Sequence, residues 1–448
     1  MTRISIGFFI TFMAGFTLSL SGARAFEIPF TQTTLTNGLQ LVVIEDHRSP
    51  IVFHAIGYKV GAADQPPGKT GLAHFFEHLL FKATKNRPNG EFDRLMDENG
   101  AQKNAFTTQD VTVFWERSGK DLLPLLMDIE ADRMQNLILT DDVVATELKV
   151  VQEERRQRTE SDPGALLSEK MDASLYTVHP YGRPVVGVPD DVARLNRADA
   201  EAFYRAHYAP KNAVVLVVGD VKPDDVKALA EKYYGPLSNA AQLSDAPHPV
   251  EPPGKEARSI TFSDARVSNA SWSRRYLAPS FGAATERQAA ALDLLGVILG
   301  GTSQSRLSQS MVFGDKSATT AGAGYNGDQR DSGYFQIFAQ PSQGVAMEQI
   351  AKTIDGLIAD LVLNGPTQAE LDEARQQAVA DYVYALDEPV SFGRMVGIGL
   401  ADGVPKDRIL NRDKSYAVVT IDDVKQAAKD VLRIENSVTG ILLPAAAQ

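Results

Sequence analysis

Three residues of chemically useful type stand together in the run Gly71-Leu72-Ala73-His74-Phe75-Phe76-Glu77-His78-Leu79-Leu80-Phe81. On a helix, residues four apart share a face, so His74 and His78 aim their imidazoles at one point. Glu77, three after His74, lies on the same side. Two neutral imidazoles and a carboxylate suit Zn2+. Glu77 then stands where it can take a proton from a water at that metal. The other positions are apolar, which makes the site dry and strengthens its electrostatics. Core histidines also reach this spacing by chance, so the pattern needs support from elsewhere in the chain.

A catalytic zinc requires a third protein ligand and one open position. The remaining histidines, His47, His54, His179, His207 and His248, are scattered and form no second cluster in the sequence. There is no cysteine, which excludes disulfides, thiolate metal sites, iron–sulfur clusters and a cysteine nucleophile. The best supply of carboxylate is the segment Glu147-Leu148-Lys149-Val150-Val151-Gln152-Glu153-Glu154. Glu147 and Glu154 are two helical turns apart on one face, with Val151 between them. A solvated, charge-rich helix is the other reading of that segment.

The elements that must position these groups alternate between strand and helix. Leu39–Ile44 and Ile51–Val60 read as strands. Gly68-Lys69-Thr70-Gly71 breaks the pattern and opens the histidine helix, with Thr70 as its expected N-cap. Phe92–Asn99, Leu122–Met134 and Val143–Arg158 read as helices, Thr107–Glu116 and Ala213–Gly219 as strands. The segment 238–257, with prolines at 247, 249, 252 and 253, reads as an extended, exposed linker that acts as a hinge. Beyond it the rhythm returns: strand Ser271–Leu277, helix Thr285–Leu299 ending in Gly300-Gly301, strand Tyr334–Ala339. This implies an internal duplication of about 200 residues per copy. The expected organisation is a signal peptide at 1–25, a metal-bearing domain at 26–237, a linker at 238–257 and a homologous second domain at 258–448. That second domain lacks metal ligands. The fold class is α+β: two homologous domains, each a mainly antiparallel sheet with helices packed on one side.

At 448 residues, with 44% hydrophobic and 23% charged side chains, the composition is that of a globular chain. The 45 basic and 57 acidic residues leave a net charge of −12. Without a dense Lys/Arg block, nucleic acid is not an expected partner. Arg3, the apolar run Ile4–Leu20 and the small residues of Ser21-Gly22-Ala23-Arg24-Ala25 read as a cleaved export signal rather than a retained anchor. The expected mature chain begins near Phe26, is periplasmic or secreted, and has no membrane association after cleavage.

His74-x-x-Glu77-His78 resembles the inverted zinc motif of the pitrilysin/insulinase family of metallopeptidases, in its smaller bacterial and mitochondrial-processing-type branch. In that family a Glu-x-x-x-Val-x-x-Glu helix follows by some seventy residues. Glu147-x-x-x-Val151-x-x-Glu154 is similar to it, with Glu154 76 residues after His78. The resemblance implies Glu154 as third ligand of one Zn2+ per chain and Glu147 as a carboxylate supporting the ligands. Neighbouring Glu153 fits neither the spacing nor the face. Asn104-Ala105-Phe106-Thr107 resembles the family's edge strand, where a peptide substrate adds as a further strand. Asn104, Ala105 and Phe106 would then contact the peptide. His179-Pro180-Tyr181-Gly182-Arg183-Pro184 and Tyr208-Ala209-Pro210-Lys211-Asn212 also look familial and read as structural turns.

One departure is informative. The family's second half supplies an Arg and a Tyr seven residues apart, shortly after a Gly-Gly-x-x-Ser-Arg-Leu segment, to stabilise the oxyanion. Gly300-Gly301-Thr302-Ser303-Gln304-Ser305-Arg306-Leu307 is the nearest match here. Counting on from it, the expected positions carry Val312 and Thr319, which cannot do this. The resemblance therefore implies a homologous partner subunit that supplies Arg and Tyr, forming a heterodimer around an unfolded peptide. Use of Tyr325 by a shifted loop is a weaker alternative. So is an apparent homodimer of low activity. The rival function is a non-catalytic peptide-binding or assembly subunit.

Overall fold

Runs such as Leu41–Ile44 and Ala213–Gly219 are apolar at every position, and strands of that kind need cover on both faces. The computed structural model describes residues 30–239 and 248–445. The expected signal segment 1–25 lies outside the described residues, as does 240–247 of the expected linker. The first half contains β1 (Phe30–Thr34), β2 (Gln40–Glu45), β3 (Ile51–Tyr58), α1 (Leu72–Leu79), α2 (Glu91–Glu98), β4 (Gln102–Thr107) and β5 (Thr112–Gly119). It continues with α3 (Leu123–Asn136), α4 (Asp141–Arg155), α5 (Pro163–Leu175), α6 (Pro189–Val192), α7 (Arg197–His207), β6 (Ala213–Gly219) and α8 (Pro223–Tyr233). The second half contains β7 (Arg258–Asp264), β8 (Ser271–Pro279), α9 (Glu286–Gly296), β9 (Ala318–Asn326), β10 (Ser332–Pro341), α10 (Met347–Asn364) and α11 (Gln368–Asp387). It ends with α12 (Pro389–Ala401), α13 (Lys406–Leu410), α14 (Arg412–Ala417), α15 (Ile421–Val431) and β11 (Ser437–Pro444).

The six-stranded sheet runs β1-β2-β6-β3-β5-β4 and the five-stranded sheet β7-β11-β8-β10-β9. Without β1 the two orders are the same pattern, and the pairing sense agrees. β2–β6 and β7–β11 are parallel, and every other pair is antiparallel. The architecture is thus α+β with a repeated, mainly antiparallel sheet.

One face of the first sheet, with Val52, Ile56, Val215 and Val217, packs on α1 through Phe75, Phe76 and Leu79. The expectation of helices on one side is incomplete, because each sheet is capped on its other face by the opposite half. Phe392, Val396 and Leu400 of α12 cover Val42, Ile44, Phe53 and Leu216 of the first sheet. Reciprocally, Leu167, Met171 and Leu175 of α5 lie against Val438 and Leu442 of β11. Burying these apolar faces, at about 25 cal/mol per Å², holds the halves together.

Three local expectations need correction. Thr70 is not the N-cap of α1; that place belongs to Gly71, at φ 88°. Thr107–Glu116 is not one strand but the end of β4, a turn, and β5. The Thr108 hydroxyl oxygen accepts from the Asp110 and Val111 backbone N–H groups and closes the turn. The linker is not wholly exposed: Glu251 is buried, and its carboxylate accepts from the Thr177 hydroxyl and the Val178 and His179 N–H groups.

Candidate metal centre

The chain enters α1 through a left-handed glycine because nothing larger fits. A Cβ on Gly71 would lie 2.7 Å from the Val186 carbonyl oxygen and 2.8 Å from Val192 Cγ2. Thr70 ties the same junction, its hydroxyl donating to Asp191 at 2.8 Å. With Phe75, Phe76 and Leu79 in the core, the rotation of α1 is fixed. His74, Glu77 and His78 then face α4, which buries Val144 and Val151 and presents Glu147 and Glu154.

Ligating atoms of His74, His78 and Glu154 all lie within 4.8 Å of one another. His78 Nε2 is 3.1 Å from Glu154 Oε2, and His74 Nε2 is 3.7 Å from Glu154 Oε1. Behind them His78 Nδ1 meets Glu147 Oε1 at 3.0 Å, while Lys82 Nζ holds Glu147 Oε2 at 2.5 Å. Glu147 can only accept, so Nδ1 carries the hydrogen and the neutral ring presents a bare lone pair at Nε2. That lone pair faces a carboxylate oxygen, and two acceptors in contact call for a proton or a cation between them. His74 Nδ1 is buried without a hydrogen-bond partner. Two imidazole nitrogens and a carboxylate arranged this way fit a divalent cation of the zinc type.

The electrostatics agree. Burial, with the neighbouring His78, pushes His74 down to about 4, so it is neutral near pH 7. Burial also disfavours charge on His78, but its bonds to Glu147 and Glu154 hold it up at about 9. A proton on His78 thus does, in the metal-free protein, what a cation would do. Burial raises the Glu77 carboxyl, against the pull of the Thr107 hydroxyl, which donates to its Oε2 at 2.5 Å.

These groups open on a cavity of about 790 Å³ that Asn104, Ala105 and Phe106 of β4 also line. β4 is the outermost strand of its sheet. The Ala105 N–H donates to its neighbour's Asn104 Oδ1 at 2.8 Å, outside the ladder to β5. An added strand would take the Ala105 N–H in place of the Asn104 side chain.

Among the described residues the second half brings no counterpart. Val312 sits in the π-helical segment Ser308–Gly314, and exposed Thr319 donates to the Gln340 carbonyl. The Tyr325 hydroxyl is engaged by the Pro279 carbonyl at 2.5 Å. Arg306 is held by Glu370 and Asp360. None of these lines the cavity.

The histidines are less scattered than the sequence suggests. His179, His248 and Asp331 form a second compact group, with 3.2 Å from His179 Nε2 and 2.8 Å from His248 Nδ1 to Asp331 Oδ2. It is no comparable metal site. His179 Nδ1 accepts from the Tyr181 N–H at 3.2 Å, so the hydrogen is on Nε2, where it satisfies Asp331. The group instead bridges the halves, joined by Arg330 to Asp64 at 3.1 Å.

Sequence reasoning passed over Lys82 and Thr107. Lys82 lies three residues past the end of α1, so its contact with Glu147 was not readable from helical spacing. Nor was that of Thr107 with Glu77, because it depends on where the sheet edge meets α1.

Two homologous α+β units with an His-x-x-Glu-His helix beside an edge strand define a class of protein, and direct comparison assigns it. Residues 41–188 match the family model for insulinase (peptidase family M16), and residues 194–378 that for the peptidase M16 inactive domain. The zinc protease PqqE of Helicobacter pylori is 30% identical over 427 residues, 94% of each chain. The crystal structure of a protease from Helicobacter pylori superposes with a TM-score of 0.85 at 29% identity, covering 93% of this chain and 100% of that one. The first half of the periplasmic protease PqqL from Escherichia coli gives 0.79 at 18% identity, covering 92% of both chains. Against the whole of PqqL, the match covers 92% of this chain and 47% of that one. The chain belongs to the M16 (insulinase) family of peptidases.

Proposed function

We propose that this chain is the zinc-bearing subunit of an exported endopeptidase that hydrolyses unfolded peptides and is completed by a homologous partner. The observation that carries the reading is the convergence of His74, His78 and Glu154, whose ligating atoms lie within 4.8 Å of one another, with Glu77 on the same helix as the two histidines. His74, His78 and Glu154 would hold the ion, with Glu147 fixing the tautomer of His78. Bound zinc would supply positive charge that acidifies a water and polarises the peptide carbonyl. Glu77, raised by burial, accepts that water's proton and delivers it to the leaving amine. The Thr107 hydroxyl keeps Glu77 turned toward the end of β4. Asn104, Ala105 and Phe106 receive the substrate as an added strand, which selects extended, unfolded peptide.

Val312 and Thr319 leave the oxyanion without an Arg/Tyr pair, and this supports a partner that brings one. The match to only half of PqqL, a chain of about twice this length, favours the same arrangement. That neighbour is a periplasmic protease, in keeping with the export signal read at residues 1–25. The test is peptide cleavage by the zinc-loaded mature chain, alone and mixed with a homologue carrying Arg and Tyr, with Glu77→Gln as control. Cleavage only in the mixture, abolished by the control, supports the split site. Full activity of the single chain refutes the partner, and inactivity in every mixture favours the binding or assembly role.

A further inference from the structure

On the footing of that peptidase reading, we propose that Arg183 is a carboxylate receptor that sets the sequence preference of the peptide groove. Four cationic side chains line the cavity: Lys82, Lys103, Arg158 and Arg183. Three are neutralised within the chain. Lys82 pairs with Glu147, Lys103 with Asp93, and Arg158 with Glu154 at 2.6 Å. Among the described residues the guanidinium of Arg183 has no ion pair and no hydrogen bond, although the residue is half-buried. The cavity has no carboxylate to spare for it. Glu77 is engaged by Thr107, Glu169 by Arg155 and Asp172 by Arg275. A carboxylate that enters the cavity therefore meets a guanidinium with no competing partner inside the chain.

The backbone beneath Arg183 is clamped, so its place is set before any ligand arrives. The Arg183 carbonyl accepts from Gln109 Nε2 at 3.0 Å. The preceding turn is pinned by the Tyr181 hydroxyl, which bonds Asp110 at 2.6 Å. A Cβ on Gly182 would come within 2.3 Å of the Tyr176 carbonyl oxygen, so the turn admits only glycine there. Gln109 follows β4 by two residues, and the last residue of β4, Thr107, holds Glu77. Arg183 therefore flanks the end of the groove nearest the proton-transferring carboxylate. A planar guanidinium with no internal partner recognises carboxylate by paired, charge-assisted hydrogen bonds. Two sources have that chemistry: an Asp or Glu side chain close to the scissile bond, or the peptide's own C-terminus.

The experiment uses zinc-loaded Glu77→Gln protein and fluorescent peptides of one length, read by anisotropy. One set is neutral with an amidated C-terminus. A second carries a single Glu scanned through an amidated peptide. A third is neutral with a free C-terminus. The expected result is binding about tenfold tighter for one carboxylate-bearing set. If the acidic side chain is the source, the gain falls at one register of the Glu scan. If the terminus is the source, it falls on the free-acid peptides. Adding Arg183→Gln brings the ratio to about one. Adding Arg183→Glu inverts the preference toward Lys at the same place, which only a folded protein can do. Equal binding of all three sets, or a preference that survives Arg183→Gln, overturns the proposal while leaving the peptidase reading intact. Failure of every peptide to bind, both alone and in the mixture with the homologue that carries Arg and Tyr, overturns both.

Discussion

The carboxylate behind His78 offers the sharpest test of how the centre is built. Glu147 touches no expected metal position, yet it accepts from His78 Nδ1 at 3.0 Å and from Lys82 at 2.5 Å. Glu147→Gln keeps an oxygen for the Nδ1 hydrogen but removes the charge. Glu147→Ala removes both and leaves Lys82 without its buried partner. Loss of a carboxylate supporting a metal-bound histidine costs about 10–100-fold in affinity. We therefore expect zinc binding about tenfold weaker in Glu147→Gln, equivalent to about 1.4 kcal/mol, and about 100-fold weaker in Glu147→Ala. The assay is chelator competition on folded protein, with the zinc-induced rise in Tm as a second readout, since a ligand bound only by the native state stabilises by mass action. Equal affinity in Glu147→Ala and the parent chain would refute the reasoning, because orientation of His78 by Glu147 would then contribute nothing.

Other expectations follow from the same geometry. Glu77→Gln should retain zinc and peptide while losing about 10²–10⁴-fold in turnover of the assembled enzyme; unchanged turnover would remove Glu77 from the mechanism. Ala105→Pro removes an N–H that does not serve the ladder to β5, so peptide binding should weaken about fivefold with little change in Tm; a collapse of the fold would contradict the free-edge assignment. His248 lies among Asp64, Arg330, Asp331 and His179, and bonds to Asp331 and Asp64 hold it up at about 9. A histidine raised above its unfolded value near 6.5 stabilises fully below that pH and loses the contribution as pH rises toward 9. His248→Gln should then cost about 2–3 kcal/mol at pH 6 and little at pH 10, read by denaturant unfolding at both values.

The candidate metal centre was the most legible part of the sequence because its logic is local. The spacing of His74, Glu77 and His78 fixes a shared helix face, and Glu147 and Glu154 share one in the same way. The duplication was also readable, since the strand–helix rhythm recurs on both sides of the proline-rich segment and the two sheets repeat one strand order. Propensity misled at Thr107–Glu116, where β-branched residues run through a turn that the Thr108 side chain closes.

What the sequence could not contain is the set of distances between elements far apart in the chain. That α12 would cover the first sheet and α5 the second depends on which apolar faces meet once both halves exist. His179 and His248 are ordinary isolated residues until the halves close and bring Asp331 between them. Arg183 reads as part of a turn, and only the tertiary structure leaves it unpaired on the lining of the groove. Helical periodicity set which side chains share a face, because it acts within a few residues, while Glu154 as a ligand was implied only by the family resemblance. The packing of apolar surfaces decided their surroundings, because it acts across the whole chain.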